Sequence, residues 1–195
     1  PAFTSAQARA AIEAEFETSV EALFVEFEET PVAAASIAQV HIGKVRVQDE
    51  TPGDTTVNGP DDELRNVAVK ILRPGIERAI ERDLELFRWI AETAERAQPR
   101  SRRLKPIAAV ETFAASLRWE MDLRMEGAAA SELRGNFLDD PMYVVPAVDW
   151  ERTGRRVLTT EWIDGIPIHD DDDLLAAGHD LEAVVRKASE SFFLQ

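Results

Sequence analysis

Apolar positions follow helical spacing in some parts of the chain and strand spacing in others, and this pattern predicts the order of elements. From residue 5 to residue 28 they recur at steps of three and four, which predicts one amphipathic helix. Within 30–72, β-branched residues on both sides of a small-residue stretch predict two strands joined by a tight Ala-rich turn. The segment NVAVKIL then alternates as a third strand, and Lys70 interrupts one of its two faces.

The second half of the chain predicts helices first and strands later. Range 75–134 carries two helical stripes, and the second predicts one continuous helix from about Ile107 to beyond Leu133. Range 142–167 predicts two strands, MYVVPAVDW and RRVLTTEWIDGIP, that end in a Gly-Pro turn. Range 168–195 predicts two more helices, so the whole pattern is that of an α+β protein.

Charged segments separate several of these elements. Residues 48–63 hold six acidic and no basic side chains, which predicts a solvated loop between strands. The acidic run 170–173 is interpreted as a cap for the following helix. A basic connector between the two long helices is interpreted as a solvated loop, with contact to anionic lipid headgroups as the alternative. Its basic residues are Arg96, Arg100, Arg102, Arg103 and Lys105.

Composition excludes several classes of function. With 37 acidic and 22 basic residues among 195, the net charge of -15 would repel nucleic acid. The chain has no cysteine, which excludes disulfides and thiolate chemistry, and its histidines, His41, His169 and His179, are too scattered for a zinc site. No apolar run approaches the roughly 18 residues of a membrane span, and the N-terminal residues lack the plan of a signal peptide. We therefore expect a cytoplasmic protein with a globular core.

The order of elements matches the N-terminal lobe of a protein-kinase-like domain. In such a lobe a loop covers the phosphates of a nucleotide, a strand lysine pairs with them, and a helix glutamate holds that lysine in place. The tetrapeptide VAVK, residues 67–70, fits the lysine strand. Found in isolation, that match would more often be a surface lysine at a sheet edge.

Four segments together give the match its specificity. PVAAASIAQVH, VAVKILRPGIE, EMDLRMEG and RRVLTTEWIDGIP, in this order, resemble the UbiB family of atypical kinases, also called aarF-domain-containing or ADCK-type kinases. The resemblance runs from about Phe16 to the C-terminus. It implies a kinase-like N-lobe with a small antiparallel sheet and an Ala-rich loop, followed by family-specific helices and the first helices of the C-lobe.

The resemblance also assigns the residues that would meet the phosphates. The stretch Ala33, Ala34, Ala35 and Ser36 looks like the family's Ala-rich loop, which stands where ordinary kinases have glycines. An alanine Cβ restricts positive φ and close approach of the backbone, so we expect a stiffer lid over the nucleotide. Lys70 would pair with the α- and β-phosphates as a catalytic residue.

Glu126 matches the position whose carboxylate steadies that lysine, and the family's inserted helices account for the 56 residues between them. Glu120 and Asp122 match the regulatory ExD motif. If the predicted helix is continuous, Asp122 and Glu126 share one face while Glu120 points away.

A further segment matches the part of the family that receives adenine. Thr160, Glu161 and Ile163, together with Trp162, correspond to the link between the lobes, where backbone groups bind the base. Val40 and Ala68 would form the apolar roof of that pocket. In contrast, Trp89, Trp119 and Trp150 are interpreted as core or boundary residues and not as part of a cofactor site.

Two departures from the family pattern limit the expected activity. No KxGQ motif occurs in the chain. The catalytic-loop Asp, the metal-binding Asn and the second metal-binding Asp are expected beyond its last residue. The triplet HDD at 169–171 is rejected as the catalytic loop, because Ala176 stands where the Asn would be. We expect no metal ligand in this chain, and we expect the fragment alone to bind nucleotide weakly at best and to turn nothing over.

The resemblance implies an ATP-dependent atypical kinase or ATPase linked to isoprenoid-quinone (ubiquinone-type) biosynthesis or lipid homeostasis. It would bind ATP or ADP, use Mg²⁺ in the full-length protein, and meet a lipid or quinone-precursor ligand with peripheral membrane contact. The alternative is a non-catalytic, pseudokinase-like scaffold for lipid or protein partners. A third class, small-molecule phosphotransferases, would not be expected to show the Ala-rich loop or the ExD motif.

Overall fold

A computed structural model describes residues 2–47, 64–98, 103–141 and 143–193 of the chain. The predicted acidic loop, 48–63, lies outside these ranges. Two residues of the basic connector, Arg100 and Arg102, lie outside them as well.

Seven helices and five strands follow one another along the described residues. They are α1 (Ser5–Phe16), α2 (Val20–Leu23), β1 (Glu26–Phe27), β2 (Ala33–Ala34), β3 (Ala38–Arg46), β4 (Leu64–Leu72), α3 (Ile76–Ala97), α4 (Pro106–Glu120), α5 (Leu123–Asn136), β5 (Val157–Glu161), α6 (Asp171–Ala176) and α7 (Leu181–Phe193), with a short 3-10 helix at Trp150–Arg152 before β5.

The five strands form one antiparallel sheet. Its order is β1-β3-β4-β5, and β2 pairs with the same edge of β3 as β1. The register sets Val40 opposite Lys70 and Ala68 opposite Thr160. Because directly opposed residues of an antiparallel sheet point to the same side, these four side chains share one face. The predicted α+β class with a small antiparallel sheet is confirmed.

The other face of the sheet forms the main core. Val67, Val69 and Ile71 of β4 are fully buried there, and Ala8 and Ile12 of α1 pack in the same cluster. Each fully buried aliphatic side chain stabilises the fold by about 1.5–3 kcal/mol relative to an exposed one. The alternation of NVAVKIL therefore identifies the strand and its buried face.

The predicted helix over 5–28 is wrong in its length. It starts with a capping box between Thr4 and Gln7 and ends at Phe16, after which Glu17 takes a left-handed φ of 54°. The chain then turns back through α2 into β1, and this reversal buries Val20 and Phe24 in the main core. Val20 and Phe24, whose spacing suggested one long helix, are therefore buried because the chain changes direction after Phe16.

The predicted continuous helix from 107 to 133 is also wrong, because it breaks between α4 and α5. The side chain of Asp122 caps α5 by accepting a hydrogen bond from the amide of Arg124 at 3.2 Å. The amide of Leu123 donates to the carbonyl of Arg155 at 2.9 Å, which ties the start of α5 to the chain just before β5. A tertiary contact therefore decides where the helix is interrupted.

The segment MYVVPAVDW was predicted as a strand. Among its described residues, only Val148 makes a strand-like bridge, with Thr160, and the 3-10 helix follows at once. The two helices predicted after residue 168 are present as α6 and α7. Asp171, Asp172 and Asp173 lie in the first turn of α6, at the end of the helix where carboxylates are favourable.

Helices α3 and α4 form an antiparallel hairpin held by two ion pairs. Arg88 contacts Glu111 at 2.6 Å and Arg118 contacts Glu81 at 2.9 Å. Hydrogen bonds from these arginines hold the pKa of both glutamates below the usual range. None of the described helices is both long enough and apolar enough to cross a membrane.

Tryptophan placement differs from expectation. Trp89, Trp119 and Trp150 were interpreted as core or boundary residues. Trp150, 49% exposed, packs beside Gly127 at the boundary, but Trp89 and Trp119 are 61% and 67% exposed. A tryptophan that contributes to a hydrophobic core has most of its surface buried, so these exposed fractions exclude a core position. Of the three, Trp119 lines a cavity on the Lys70 side of the sheet.

Candidate functional site

A strand lysine and a helix glutamate meet on the open face of the sheet. Lys70 Nζ lies 2.7 Å from each carboxylate oxygen of Glu126, so the ammonium group donates to both. Lys70 is in β4, and Glu126 is in the first turn of α5. The side chains are 33% and 48% exposed, so the pair is open to water and contributes only about 0–1 kcal/mol to stability. A role in stabilising the fold therefore does not explain this ion pair, whereas a role in binding or chemistry would.

Close packing of α5 against the sheet brings Glu126 within reach of Lys70. Leu123 is buried with Ala38, Leu72 and Leu158, in a second core on the Lys70 side of the sheet. Next to Glu126, Gly127 lies so near that an added Cβ would stand 3.2 Å from Leu158 Cδ1 and 3.2 Å from Trp150 Cη2. The absence of a side chain at 127 thus allows the helix to approach β5.

A cavity of about 430 Å³ opens beside the ion pair. Its lining combines apolar and charged residues from three stretches of the chain. These are Ile37, Lys70, Leu72, Trp119, Glu120, Asp122, Leu123, Met125 and Glu126. The expectation that Glu120 points away from Glu126 assumed a continuous helix, and the break between α4 and α5 instead leaves both glutamates lining this cavity.

Asp122 has a different local role from the two glutamates. Its carboxylate accepts two hydrogen bonds from the guanidinium of Arg124, at 2.8 and 2.6 Å. These bonds hold the pKa of Asp122 below its ordinary value, although partial burial opposes them. Asp122 is therefore an ionised helix cap at the wall of the cavity, and its negative charge is balanced by Arg124.

The Ala-rich segment lies at the edge of the sheet next to the cavity. Ala33 and Ala34 form β2, with Ala33 opposite Val40, and the amide of Ala35 donates to the carbonyl of Ala38 at 2.8 Å. Ala35 and Ser36 make the exposed turn into β3. The following residue, Ile37, reaches the cavity, which places this turn beside Lys70.

The predicted adenine-binding residues extend the open face away from the cavity. Thr160 and Glu161 end β5, and Ile163 follows with an exposed side chain. The amide of Glu161 donates to Ala147 and that of Trp162 to Asn66. Val40 and Ala68 are half-buried on the same face as Lys70, although neither contributes to the cavity lining.

Sequence reasoning missed several residues around the ion pair. Ile37, Trp119 and Met125 line the cavity, but an apolar residue at a cavity wall has the same local pattern as one in a core. Gly127 stands beside Glu126 in EMDLRMEG, where a glycine in a helix interior could have signalled close packing. Arg73 follows the lysine strand and holds the Ala-rich turn, a contact that no spacing rule predicts.

An antiparallel sheet with a lysine on its open face, held by a glutamate from a helix packed beside it, defines a protein-kinase-like N-terminal lobe. The chain belongs to the ABC1 atypical kinase-like domain family, whose model matches residues 1–195. The resemblance to UbiB-type kinases seen in the sequence is thereby confirmed.

Curated relatives cover the whole chain. It is 39% identical to the "Probable protein kinase UbiB" of Marinobacter nauticus and 38% identical to that of Aeromonas salmonicida, in each case over 195 residues. The chain spans 33% of the length of each of these relatives.

A solved structure shares the fold. The complex of Rv3197 with erythromycin from Mycobacterium tuberculosis aligns with a TM-score of 0.62 and 27% sequence identity. The alignment covers 87% of this chain and 38% of the Rv3197 chain.

Proposed function

We propose that this chain is the ATP-binding portion of a UbiB-type atypical kinase or ATPase. The single observation that carries the proposal is the 2.7 Å pairing of Lys70 with Glu126 at the wall of a cavity on the open face of the sheet. In kinases a lysine so held contacts the α- and β-phosphates of the nucleotide. Lys70 and Glu126 are accordingly the catalytic pair of the proposal.

The size and chemistry of the cavity are compatible with part of a nucleotide. A volume of about 430 Å³ is within the usual range of small-molecule pockets. Glu126 is balanced by Lys70 and Asp122 by Arg124, which leaves the carboxylate of Glu120 as an excess negative charge at the wall. Because that charge would repel a bare polyphosphate, we propose that ATP or ADP binds with Mg²⁺, which supplies the compensating positive charge.

We assign the adenine to the far end of the open face. Val40 and Ala68 are apolar, half-buried and on the Lys70 side of the sheet, as the roof of a base pocket requires. Since the amides of Glu161 and Trp162 already donate within the fold, we assign the contact with the base to the amide of Ile163 and to carbonyls of segment 160–163.

The remaining chemistry belongs, on this proposal, to the larger part of the relatives' length that this chain does not span. We place the catalytic Asp and the Mg²⁺ ligands there, and we expect the 195 residues alone to bind nucleotide without turnover. The relatives' name UbiB supports a link to isoprenoid-quinone biosynthesis or lipid homeostasis. We propose a cytoplasmic location with peripheral contact to a membrane that holds the lipid or quinone-precursor ligand.

The proposal is tested by a nucleotide titration with Lys70→Ala. We expect the affinity for ATP to fall about tenfold or more, because the variant loses a charged hydrogen-bond donor to the phosphates. Fluorescence of a labelled nucleotide or calorimetry measures the change.

Lys187→Ala is the matched control. Lys187 lies in α7, and its side chain is 30% exposed. It makes a 2.6 Å ion pair with Asp140, which lies in the segment after α5. Its replacement removes a comparable lysine away from the cavity and should leave the affinity unchanged. Tight binding that survives Lys70→Ala would overturn the assigned site.

A second candidate function, a pseudokinase-like scaffold for lipid or protein partners, is favoured by one observation. Helix α3 carries exposed apolar side chains close together in sequence. Among them are Leu86, Trp89 and Ile90, with exposed fractions of 54%, 61% and 49%. We expect a scaffold to lose its partner when Trp89 and Ile90 are changed to serine and to keep it in Lys70→Ala. A co-sedimentation or pull-down comparison of these variants separates the two functions.

A further inference from the structure

Arg73 connects three parts of the structure that surround the Ala-rich turn. Its Nε donates to the carbonyl of Ser36 at 2.9 Å, and its Nη2 approaches the carbonyl of Ala35 at 3.5 Å. The backbone amide of Arg73 donates to the carbonyl of Ile37 at 2.8 Å. The guanidinium also lies 5.5 Å from the ring centre of Phe3, in the range of a cation–π contact.

Those contacts fix the orientation of two peptide planes. The described chain contains no cis peptide bond, and in a trans peptide the C=O and the following N–H point in opposite directions. Since the carbonyls of Ala35 and Ser36 point toward Arg73, the amides of Ser36 and Ile37 point away from it.

Arg73 lies on the α1 side of the strand ends and the Lys70 cavity opens on the α5 side. Arg73 lines a second cavity, of about 300 Å³, together with Gln7, Ala11 and other residues of α1, and Leu72 lines both cavities. That helix packs on the core face of the sheet, whereas the Lys70 cavity opens on the α5 side. Ile37, which is among the residues that line the Lys70 cavity, is exposed at the edge between the two.

We infer that Arg73 is a positioning residue that turns the amides of Ser36 and Ile37 toward the phosphates of a nucleotide. Pairs of adjacent backbone N–H groups aimed at one point bind anions well, and glycine-rich loops achieve this through flexible backbone. Here the turn carries methyl groups, and a guanidinium on its far side supplies the orientation. The inference rests on the nucleotide-binding function proposed above.

The variant that tests it is Arg73→Met in the full-length gene product, which keeps a long apolar side chain and removes the donors. We expect about a tenfold loss of affinity for ATP, because the amides that meet its phosphates are no longer oriented. The affinity for adenosine, which has no phosphate, should not change. Arg73→Lys keeps the charge with a single-point donor and should give an intermediate loss.

Arg78→Met is the matched control. Arg78 lines the same second cavity as Arg73, and among the described residues no hydrogen bond or ion pair joins its side chain to the turn. Its replacement removes an equal charge at a similar place, so unchanged ATP affinity would exclude a long-range electrostatic effect. An equal loss of ATP and adenosine affinity in Arg73→Met, or no loss of either, would overturn the inference.

A measurement without nucleotide separates this inference from the proposed function. The amide of Ala35 is protected by its bond to Ala38, and we expect its hydrogen exchange to accelerate in Arg73→Met but not in Arg78→Met. If wild type binds no nucleotide, the Lys70 proposal fails, and the exchange rates alone decide whether Arg73 orients the turn. Unchanged exchange at segment 33–38 in Arg73→Met would contradict that role.

Discussion

The face of the sheet toward α1 carries Val67, Val69 and Ile71 from β4, none of which retains accessible surface. The face toward α5 carries Ala68 and Lys70 from the same strand, and both are part-exposed. Successive strand residues point to opposite sides, so one nine-residue strand contributes a closed core and an open, charged site. Substitutions at neighbouring positions should therefore separate stability from binding.

The largest effect is expected from Ile71→Ala. Ile71 is fully buried, and removing its side chain leaves a cavity in the main core. The free energy of unfolding should fall by about 2–5 kcal/mol. Denaturant titration measures it against Lys70→Ala, the adjacent residue, for which a change of about 0–1 kcal/mol is expected. Equal destabilisation by the two variants would remove the distinction between the faces.

A smaller effect is expected from Gly127→Val on the open side. The new side chain would press against Leu158 and Trp150, so α5 should shift outward at a cost of about 1–3 kcal/mol. Because Glu126 moves with the helix, nucleotide affinity should fall as well. Gly135→Val in the same helix is the control, since an added Cβ there meets no atom within 4 Å. Identical losses in both variants would mean that close packing at 127 does not position Glu126.

The smallest effect concerns His41, a buried polar group on the α1 face. Its Nδ1 donates to the carbonyl of Glu28, and its Nε2 accepts from Gln39, so the neutral imidazole fits the site. Burial lowers the pKa of His41 from its ordinary value near 6.5, although the bond to Glu28 opposes the shift.

The sign of the pH dependence follows from that lowered pKa. Below about pH 6.5 the unfolded chain binds a proton at this histidine more readily than the folded chain does. Stability from this group is therefore complete above pH 6.5 and declines as the pH falls below it. Unfolding free energies between pH 7.5 and 5.5 should show a steeper decline in wild type than in His41→Asn, where His169 and His179 remain. Parallel curves would contradict a neutral His41 in the fold.

The sequence was sufficient for the parts of the fold that depend on local period or on the family motifs. The alternation around Lys70 identified β4 and its buried face. The contact between Lys70 and Glu126 spans 56 residues, and only the resemblance made it predictable. Composition and periodicity alone could not have paired them.

The errors share a physical cause. The first helix ends at Phe16, and the later helix breaks at Asp122, because contacts with residues distant in sequence stabilise a change of chain direction. At the end of the first helix the stabilising contact is the burial of Phe24, and at the break before α5 it is the hydrogen bond from the amide of Leu123 to the carbonyl of Arg155. The helix break that brings Glu120 to the cavity and the bond from Arg73 to Ser36 depend on such long-range contacts as well.

The hairpin of α3 and α4 has one more consequence, for how tolerant the fold is of length changes. The chain leaves the sheet after Leu72 and returns at Trp119, and both residues line the same cavity. Because the two ends of this excursion are neighbours in the structure, the length of the hairpin does not set the distance between them. Lengthening or trimming the hairpin by whole turns at its distal tip should therefore leave the spacing of the lysine and the glutamate intact, which makes the tip a natural place for inserted or grafted sequence.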